Sequence, residues 1–342
     1  MRRVDLILTG LGHVGRAFAA LAWEKRGLCS SRYGLDLRLR AAINSKGGFL
    51  AGRAPGGEGL ADLPAAVPAP LRSPAWHPGL RLREALGEGE PGVLVECTPT
   101  DIRTGEPGHS FMTEALSQGW HVAAASKGAL VLDFPGLSAL ARTSGARLKY
   151  SGATAAALPT LDVGQVALAG ASVSRIEGIL TGVTNHILTR MESGVSFAAA
   201  LKEAQGLGIA EPDPSFDLDG WDTACKILLI ANAVTGAEFR LADVRREGIR
   251  NLSPEDLKKA RNVGKAVKLL GRFVQEGGER RIEVAVSTLD STHPLHGVSG
   301  TNKAISFFTD TMGTISVAGG KSDPRGAAAA LLKDIVNIYR GI

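Results

Sequence analysis

The sequence predicts an α/β chain in two parts. The first is a Rossmann-type, doubly wound nucleotide-binding domain over residues 1–149, completed by a C-terminal helix at 321–342; the second is an α+β domain with an open mixed sheet over 150–320. Three observations predict it. A short apolar strand leads directly into Gly10-Leu11-Gly12-His13-Val14-Gly15 and an amphipathic helix. Strand and helix patterns then alternate up to about Tyr150, as parallel strands joined by crossovers require. Beyond that point strand patterns dominate and the regular alternation is lost.

Bulk composition agrees with such a chain. With 342 residues, 44% hydrophobic and 21% charged, there is enough apolar material for two globular cores. Lys and Arg total 39 against 34 Asp and Glu, a formal surplus of +5, and aromatics are 5%. So small a surplus with so few stacking rings argues against a nucleic-acid partner and leaves small anionic ligands open. Cys29, Cys97 and Cys225 are far apart and form no CxxC, which argues against a disulfide framework or a zinc cluster. The first apolar run is cut by Asp5 and ends at Gly10, too short for a signal peptide, and no stretch reaches a membrane span. The expected location is the cytoplasm, with no membrane partner.

In chain order, residues 4–9 read as a buried strand, and Val14, Phe18, Leu21 and Ala22 share one face of the helix that follows. A second strand is expected at 36–43. Residues 47–79 are rich in Gly, Pro and Ala with weak periodicity, and read as a long surface excursion with room for a short helix. Regular structure resumes with a strand at 93–97, a helix at 110–118 and a strand at 121–124. In the second part, strand segments at 176–181, 265–273, 280–287, 304–308 and 313–318 are separated by helices at 197–204, 221–234 and 254–263. The last segment, 325–339, is rich in Ala and Leu, with Lys333 and Arg340 late in the run where cations favour the helix dipole. It is expected to return to the first domain.

The glycine loop has a physical rationale as a dinucleotide site. Gly10 permits a tight turn, Gly12 admits a pyrophosphate to the backbone, and Gly15 lets the helix pack close to the strand. Leu11, His13 and Val14 complete the loop, His13 as a backbone contact rather than a catalyst. At the end of the second strand, where an acid would bind the adenine ribose diol, the chain has Asn44-Ser45-Lys46. Without an acid nothing repels a 2′-phosphate and Lys46 can pair with one, which favours NADP, with NAD as the alternative. The alternative for Lys46 is an ordinary solvated loop lysine. Thr98, after the 93–97 strand, is placed to meet the nicotinamide ribose.

The densest chemistry lies between Gly208 and Lys226. Glu211, Asp213, Asp217, Asp219 and Asp222 crowd one loop, Pro212 and Pro214 restrict the acids before them, and Lys226 follows. Asp222 and Lys226 are four apart at the start of an apolar helix and so share one face. An exposed pair of this kind contributes only a few tenths of a kcal/mol. Behind a stiff acidic loop, however, a lysine oriented by a carboxylate can polarise a carbonyl and deliver a proton as hydride arrives. Lys127, just past the 121–124 strand, sits at the sheet edge where ligands bind and can hold a substrate oxygen, or can be a plain loop lysine.

The run Gly178-Ile179-Leu180-Thr181-Gly182-Val183-Thr184-Asn185-His186-Ile187-Leu188-Thr189-Arg190-Met191, followed by Leu201-Lys202-Glu203-Ala204-Gln205 and the block from Glu211 to Lys226, resembles homoserine dehydrogenase. The similarity extends to Ser126-Lys127-Gly128 and to the terminal helix with Asp334, and so covers nearly the whole chain. It implies reversible, NAD(P)-dependent interconversion of L-aspartate 4-semialdehyde and L-homoserine in threonine and methionine biosynthesis. By matching position it makes Lys226 the proton donor and Asp222 its orienting partner. It also implies Glu211 at the substrate amino group with Asp217 nearby, Gly182 and Thr184 lining the substrate pocket, and Lys127 at both substrate and nicotinamide. A homodimer is implied, and no feedback control through a further C-terminal ACT domain.

The chain departs from the family at three places. Val183 and His186 replace residues of a Gly-Thr-Thr-Asn-Tyr motif. The segment that binds a monovalent cation such as sodium has alanines where the family has glycines, leaving the backbone oxygens of Ser151, Thr154, Ala156 and Leu158 as ligands in question. The late cofactor loop at Gly319 also differs, and carries Lys321. Val183 and His186 keep open a relative acting on another small 2-amino or 2-hydroxy acid. A non-catalytic nucleotide-sensing protein is the remaining reading, against which the full set of Lys127, Glu211, Asp222 and Lys226 weighs.

Overall fold

A computed structural model describes residues 1–50, 76–87, 89–320 and 322–342. The chain forms two compact units, Met1–Ala156 with Asp323–Ile342, and Ala157–Ser322. No described helix is long and apolar enough to cross a membrane.

The first unit is built on a seven-stranded sheet in the order β4-β3-β2-β1-β5-β6-β7. Its strands are β1 (Arg2–Thr9), β2 (Leu35–Asn44), β3 (Gly47–Leu50), β4 (Trp76–Pro78), β5 (Val93–Glu96), β6 (His121–Ala124) and β7 (Leu148–Lys149). From β2 to β7 the strands are parallel, with β1 in contact with both β2 and β5. Helices α1 (His13–Tyr33), α2 (Leu82–Leu86), α3 (Gly108–Ser117) and α4 (Gly128–Thr143) fall between them. Val4, Leu6 and Leu8 of β1 pack with Phe18 and Leu21 of α1 and with Leu331 and Ile335 of the final helix. Gly34 ends α1 in the left-handed conformation and donates its N–H to Ser30.

Residues 47–79 depart from the expected surface excursion. Their two ends are strands β3, which adds antiparallel to β2, and β4, which adds antiparallel to β3, and they make the sheet mixed; 51–75 lie outside the described residues. The composition misled because the glycines serve close approach, not a loop. Gly47 has φ +140, and a Cβ there would meet His77; a Cβ on Gly48 would meet Ala42. Helix α4 gave no signal because Pro135 lies inside it, and Asp133 breaks its geometry just before.

The second unit has a six-stranded sheet in the order β13-β12-β8-β10-β11-β9. These are β8 (Val173–Ile179), β9 (Arg245–Arg246), β10 (Ala266–Glu276), β11 (Glu279–Leu289), β12 (Lys303–Thr309) and β13 (Thr314–Gly319). Its longer helices are α5 (Gly182–Glu192), α6 (Phe197–Gly206), α7 (Trp221–Thr235) and α8 (Pro254–Asn262); α9 (Pro324–Arg340) belongs to the first unit. Ile176, Phe273 and Phe307 lie opposite one another on one face and are fully buried. Gly271 on that face lets α7 come close, since a Cβ would stand 2.9 Å from Ile227. The next row, on the opposite face, holds Val274, Arg175, Phe308 and Thr314, all at least partly exposed.

The strand expected at 176–181 stops at Ile179, and Leu180 and Thr181 turn into α5, which the sequence reading lacked. Every residue from Gly182 to Leu188 is buried. A helix buried on all sides shows no apolar stripe, so its period is silent.

Candidate active site

Gly10 turns the chain after β1 with φ +87, and its N–H donates to Ile43 at 2.9 Å. A Cβ at Gly10 would collide with the Cys97 carbonyl and one at Gly15 with the Gly10 carbonyl, whereas nothing lies within 4 Å of a Cβ on Gly12. Two glycines therefore serve packing and the third faces open space. Helix α1 begins there with Gly12 as N-cap, no side-chain cap and no acid in its first turn. Its first N–H groups are left to an anion, and a pyrophosphate fits that place. Leu11 is buried; His13, the first helical residue, is exposed and Val14 half-buried. Leu11 presents its carbonyl to Arg16 Nε at 2.8 Å.

Asn44 ends β2 and accepts the Lys46 N–H at 2.8 Å, which leaves Lys46 exposed in the turn. Ile43, Asn44 and Ser45 line a cavity of about 430 Å³ that Arg81 and Arg83 also border. Arg83 stands 3.5 Å from Glu114. Sequence reasoning missed both arginines, because they meet Asn44 only through the fold. Thr98 follows β5 and gives its N–H and hydroxyl to Glu96; the Ser126 hydroxyl reaches the same carboxylate at 2.5 Å. Lys127 is half-buried, and its N–H donates to the Thr100 hydroxyl at 3.2 Å.

In the second unit the acidic loop and α7 meet the end of β8. Lys226 Nζ lies 2.5 Å from Asp222 Oδ2 and donates to the Leu180 carbonyl at 2.9 Å. Their side chains are 15% and 11% exposed, so the pair is not the solvated surface contact its spacing alone permits. Thr181 donates its hydroxyl to Asp217 at 2.6 Å. Gly182 follows, where a Cβ would crowd Thr301 and Ser322. Leu180 and Thr181 thereby bring Lys226, Asp222, Asp217 and Gly182 to one place. Thr184 is buried in the first turn of α5.

Glu211 is not joined to that group by any described bond. It is exposed, and its carbonyl accepts Gln205 Nε2 at 3.3 Å. Asp213 accepts the Ser215 hydroxyl and N–H, which hold its carboxyl below the usual range. Asp219 accepts from Arg250, whose other nitrogen reaches the Ser215 hydroxyl at 3.1 Å. Arg250 was absent from the sequence reading because it arrives from 31 residues downstream of Asp219.

For the cation ligands, the Ser151 carbonyl accepts the Thr154 hydroxyl at 3.0 Å, and the Leu158 carbonyl accepts the Thr160 N–H at 2.8 Å. Ala156 takes φ +52, so an alanine here does reach the conformation glycine serves. Among the described residues no three His, Cys, Asp or Glu side chains gather as a metal site. Gly319 ends β13 with φ +124, and Gly320 follows with φ +76 close against Leu158. Lys321 lies outside the described residues.

Residues 159–336 match the family model described as homoserine dehydrogenase. The chain is 33% identical to an NAD(+)-dependent homoserine dehydrogenase of Pseudomonas canavaninivorans, over 99% of this chain and 97% of that protein. It is equally 33% identical to a homoserine dehydrogenase of Methanocaldococcus jannaschii, over 98% of each. Among solved structures, one from Archaeoglobus fulgidus assigned to homoserine dehydrogenase is similar with a TM-score of 0.87 and 31% identity, covering 98% of this chain and 99% of that one. A hyperthermophilic archaeal homoserine dehydrogenase mutant in complex with NADPH is similar with a TM-score of 0.83 and 26% identity, covering 100% and 99%.

Proposed function

This chain belongs to the homoserine dehydrogenase family, and from that premise we propose that Lys226 is the proton donor in its reaction and Asp222 its orienting partner. The enzyme is an NAD(P)-dependent oxidoreductase acting on a CH–OH group. It interconverts L-aspartate 4-semialdehyde and L-homoserine. When bound, the dinucleotide supplies the hydride or takes it back. The observation that carries the assignment is the half-buried ion pair of Asp222 and Lys226 at 2.5 Å, with Nζ also on the Leu180 carbonyl.

The chemistry follows from that ammonium. Lysine has three N–H donors. With one on Asp222 and one on Leu180, the remaining donor is directed to the aldehyde oxygen of the substrate. As hydride adds to the carbonyl carbon, negative charge builds on the oxygen; the ammonium stabilises it and passes over its proton, giving the alcohol and a neutral amine that solvent reprotonates. In the reverse direction the amine accepts the hydroxyl proton. Asp217, fixed by Thr181, and Glu211 serve the substrate amino group, Gly182 and Thr184 shape its pocket, and Lys127 is assigned to substrate and nicotinamide.

The glycine loop, Thr98 and Gly319 serve the dinucleotide, and the Asn44 and Lys46 end of β2 supports a preference for NADP. Backbone oxygens of Ser151, Thr154, Ala156 and Leu158 remain the candidates for a sodium ion. We place the enzyme in the cytoplasm, which cell fractionation checks. A homodimer suits the sheet row of Val274, Arg175, Phe308 and Thr314, whose apolar members are incompletely buried in the single chain. Light scattering is expected to return twice the 35.6 kDa chain mass; the mass of one chain at micromolar concentration would refute the dimer.

The decisive experiment is turnover of NADPH with L-aspartate 4-semialdehyde. Lys226→Ala is expected to lower kcat by about a thousandfold while circular dichroism and Tm stay near wild type. Undiminished turnover in that variant would remove Lys226 from the mechanism.

A further inference from the structure

Glu96 is the last residue of β5 and has no solvent exposure. A carboxylate so placed needs partners, because a buried unpaired charge is costly. Its donors include the Thr98 N–H at 2.7 Å and the Thr98 hydroxyl, both on Oε1, and the Ser126 hydroxyl at 2.5 Å on Oε2, with the Ser126 backbone also contributing. Gly108, the first residue of α3, packs over the group; a Cβ there would stand 3.2 Å from the Ser126 hydroxyl and 3.6 Å from the Glu96 carboxyl. A helix N-terminus favours a nearby negative charge. Burial raises the Glu96 carboxyl above its ordinary value, and the bonds from Ser126 and Thr98 pull against it.

The partners belong to two different loops. Thr98 leaves β5 and Ser126 leaves β6, and both strands run parallel to β1, whose loop carries the glycines. In sheets of this kind ligands bind beyond the carboxyl ends of the strands, where the strand order reverses. That reversal lies between β1 and β5 here. Ser126 immediately precedes Lys127, whose own N–H is tied back to Thr100 of the first loop.

We propose that Glu96 is a positioning residue for the nicotinamide end of the dinucleotide: one buried carboxylate locks the Thr98 loop to the Ser126–Lys127 loop, so that both meet the cofactor in a single arrangement. Glu96 itself touches no ligand. The proposal rests on the reading that this unit binds NAD(P), and concerns a residue for which that reading gives no role.

Two measurements test it: NADPH affinity by fluorescence titration without a second substrate, and the KM values of both substrates. Glu96→Ala is expected to weaken NADPH binding and raise its KM about tenfold, with a smaller rise of about threefold in the semialdehyde KM, because Lys127 also serves the substrate. Glu96→Gln is expected to recover to within about threefold, since its carbonyl can accept from Thr98 while its amide donates to the Ser126 hydroxyl. A folded alanine variant with wild-type NADPH affinity overturns the proposal. So does a loss shared equally by both KM values, or a glutamine variant no better than alanine. Should Glu96→Ala not fold, Ser126→Ala removes only the hydroxyl bond to Oε2 and is expected to weaken NADPH binding about threefold; unchanged affinity overturns the proposal there too. Wild-type protein that binds NADPH without turnover would defeat the catalytic reading and leave this binding test intact, and failure to bind either dinucleotide would defeat the cofactor reading itself.

Discussion

Arg81 and Arg83 border the cavity at the end of β2 together with Asn44; the strand end itself, Asn44-Ser45-Lys46, carries no acid, and Glu114, which also lines the cavity, stands 3.5 Å from Arg83. A guanidinium pairs with phosphate in a forked geometry that a lysine cannot reproduce. Replacing both arginines by alanine is therefore expected to lower kcat/KM for NADPH about tenfold or more, while NADH changes by less than about twofold. Parallel steady-state assays with the two cofactors check this; an equal loss with both would mean the arginines act on structure or on the shared part of the dinucleotide. The contrast with Asp222 and Lys226 shows what a sequence can reveal at this scale. Four residues of helix put that pair on one face, so its geometry is local and legible. Arg81 and Arg250 join their clusters through tertiary folding, and no spacing rule reaches that far. Burial is the other silent quantity: the same four-residue spacing fits a solvated pair or a shielded one, and only the packing of α7 near the end of β8 makes it the latter.

At the level of elements, α9 is held to the first unit by polar as well as apolar contacts. Asp334 is buried and accepts the Ser151 N–H at 2.8 Å and the Ser151 hydroxyl at 2.7 Å, while Lys333 reaches that hydroxyl at 2.9 Å. Removing the carboxylate would strand a buried N–H. Asp334→Ala is expected to cost about 2–3 kcal/mol, with Asp334→Asn costing less because its amide oxygen still accepts. Urea unfolding curves check the order, and an alanine variant as stable as wild type would show that the bonds are not needed. Other elements were readable in proportion to how far their periodicity survives burial. The strands of the second unit alternate or run apolar and stand near their expected places. Helices α4 and α5 do not, the one interrupted by Pro135 and the other buried from Gly182 through Leu188. Strands β3 and β4 hid behind glycines that a reader takes for turns, although their role is to let two backbones approach.

For the molecule as a whole, the chain path itself has consequences. The first unit is left at Ala156 and rejoined at Asp323, so its core stays open until the last twenty residues are in place. Leu331, Ile335, Val336 and Ile338 of α9 are buried in the same cluster as Val4, Leu6 and Phe18. Burying side chains of this size contributes about 1.5–3 kcal/mol each, as an upper estimate. Four of them approach the roughly 5–15 kcal/mol that holds a whole domain folded. Deleting residues 323–342 is therefore expected to unfold the first unit and not merely to trim it. NADPH binding should vanish, and limited proteolysis should open sites throughout residues 1–156. A truncated chain that still binds NADPH with wild-type affinity would mean that β1 and α1 close their core without the returning helix. The same path makes the unit slow to complete during synthesis, because contacts between β1 and α9 span nearly the entire chain and must wait for its end.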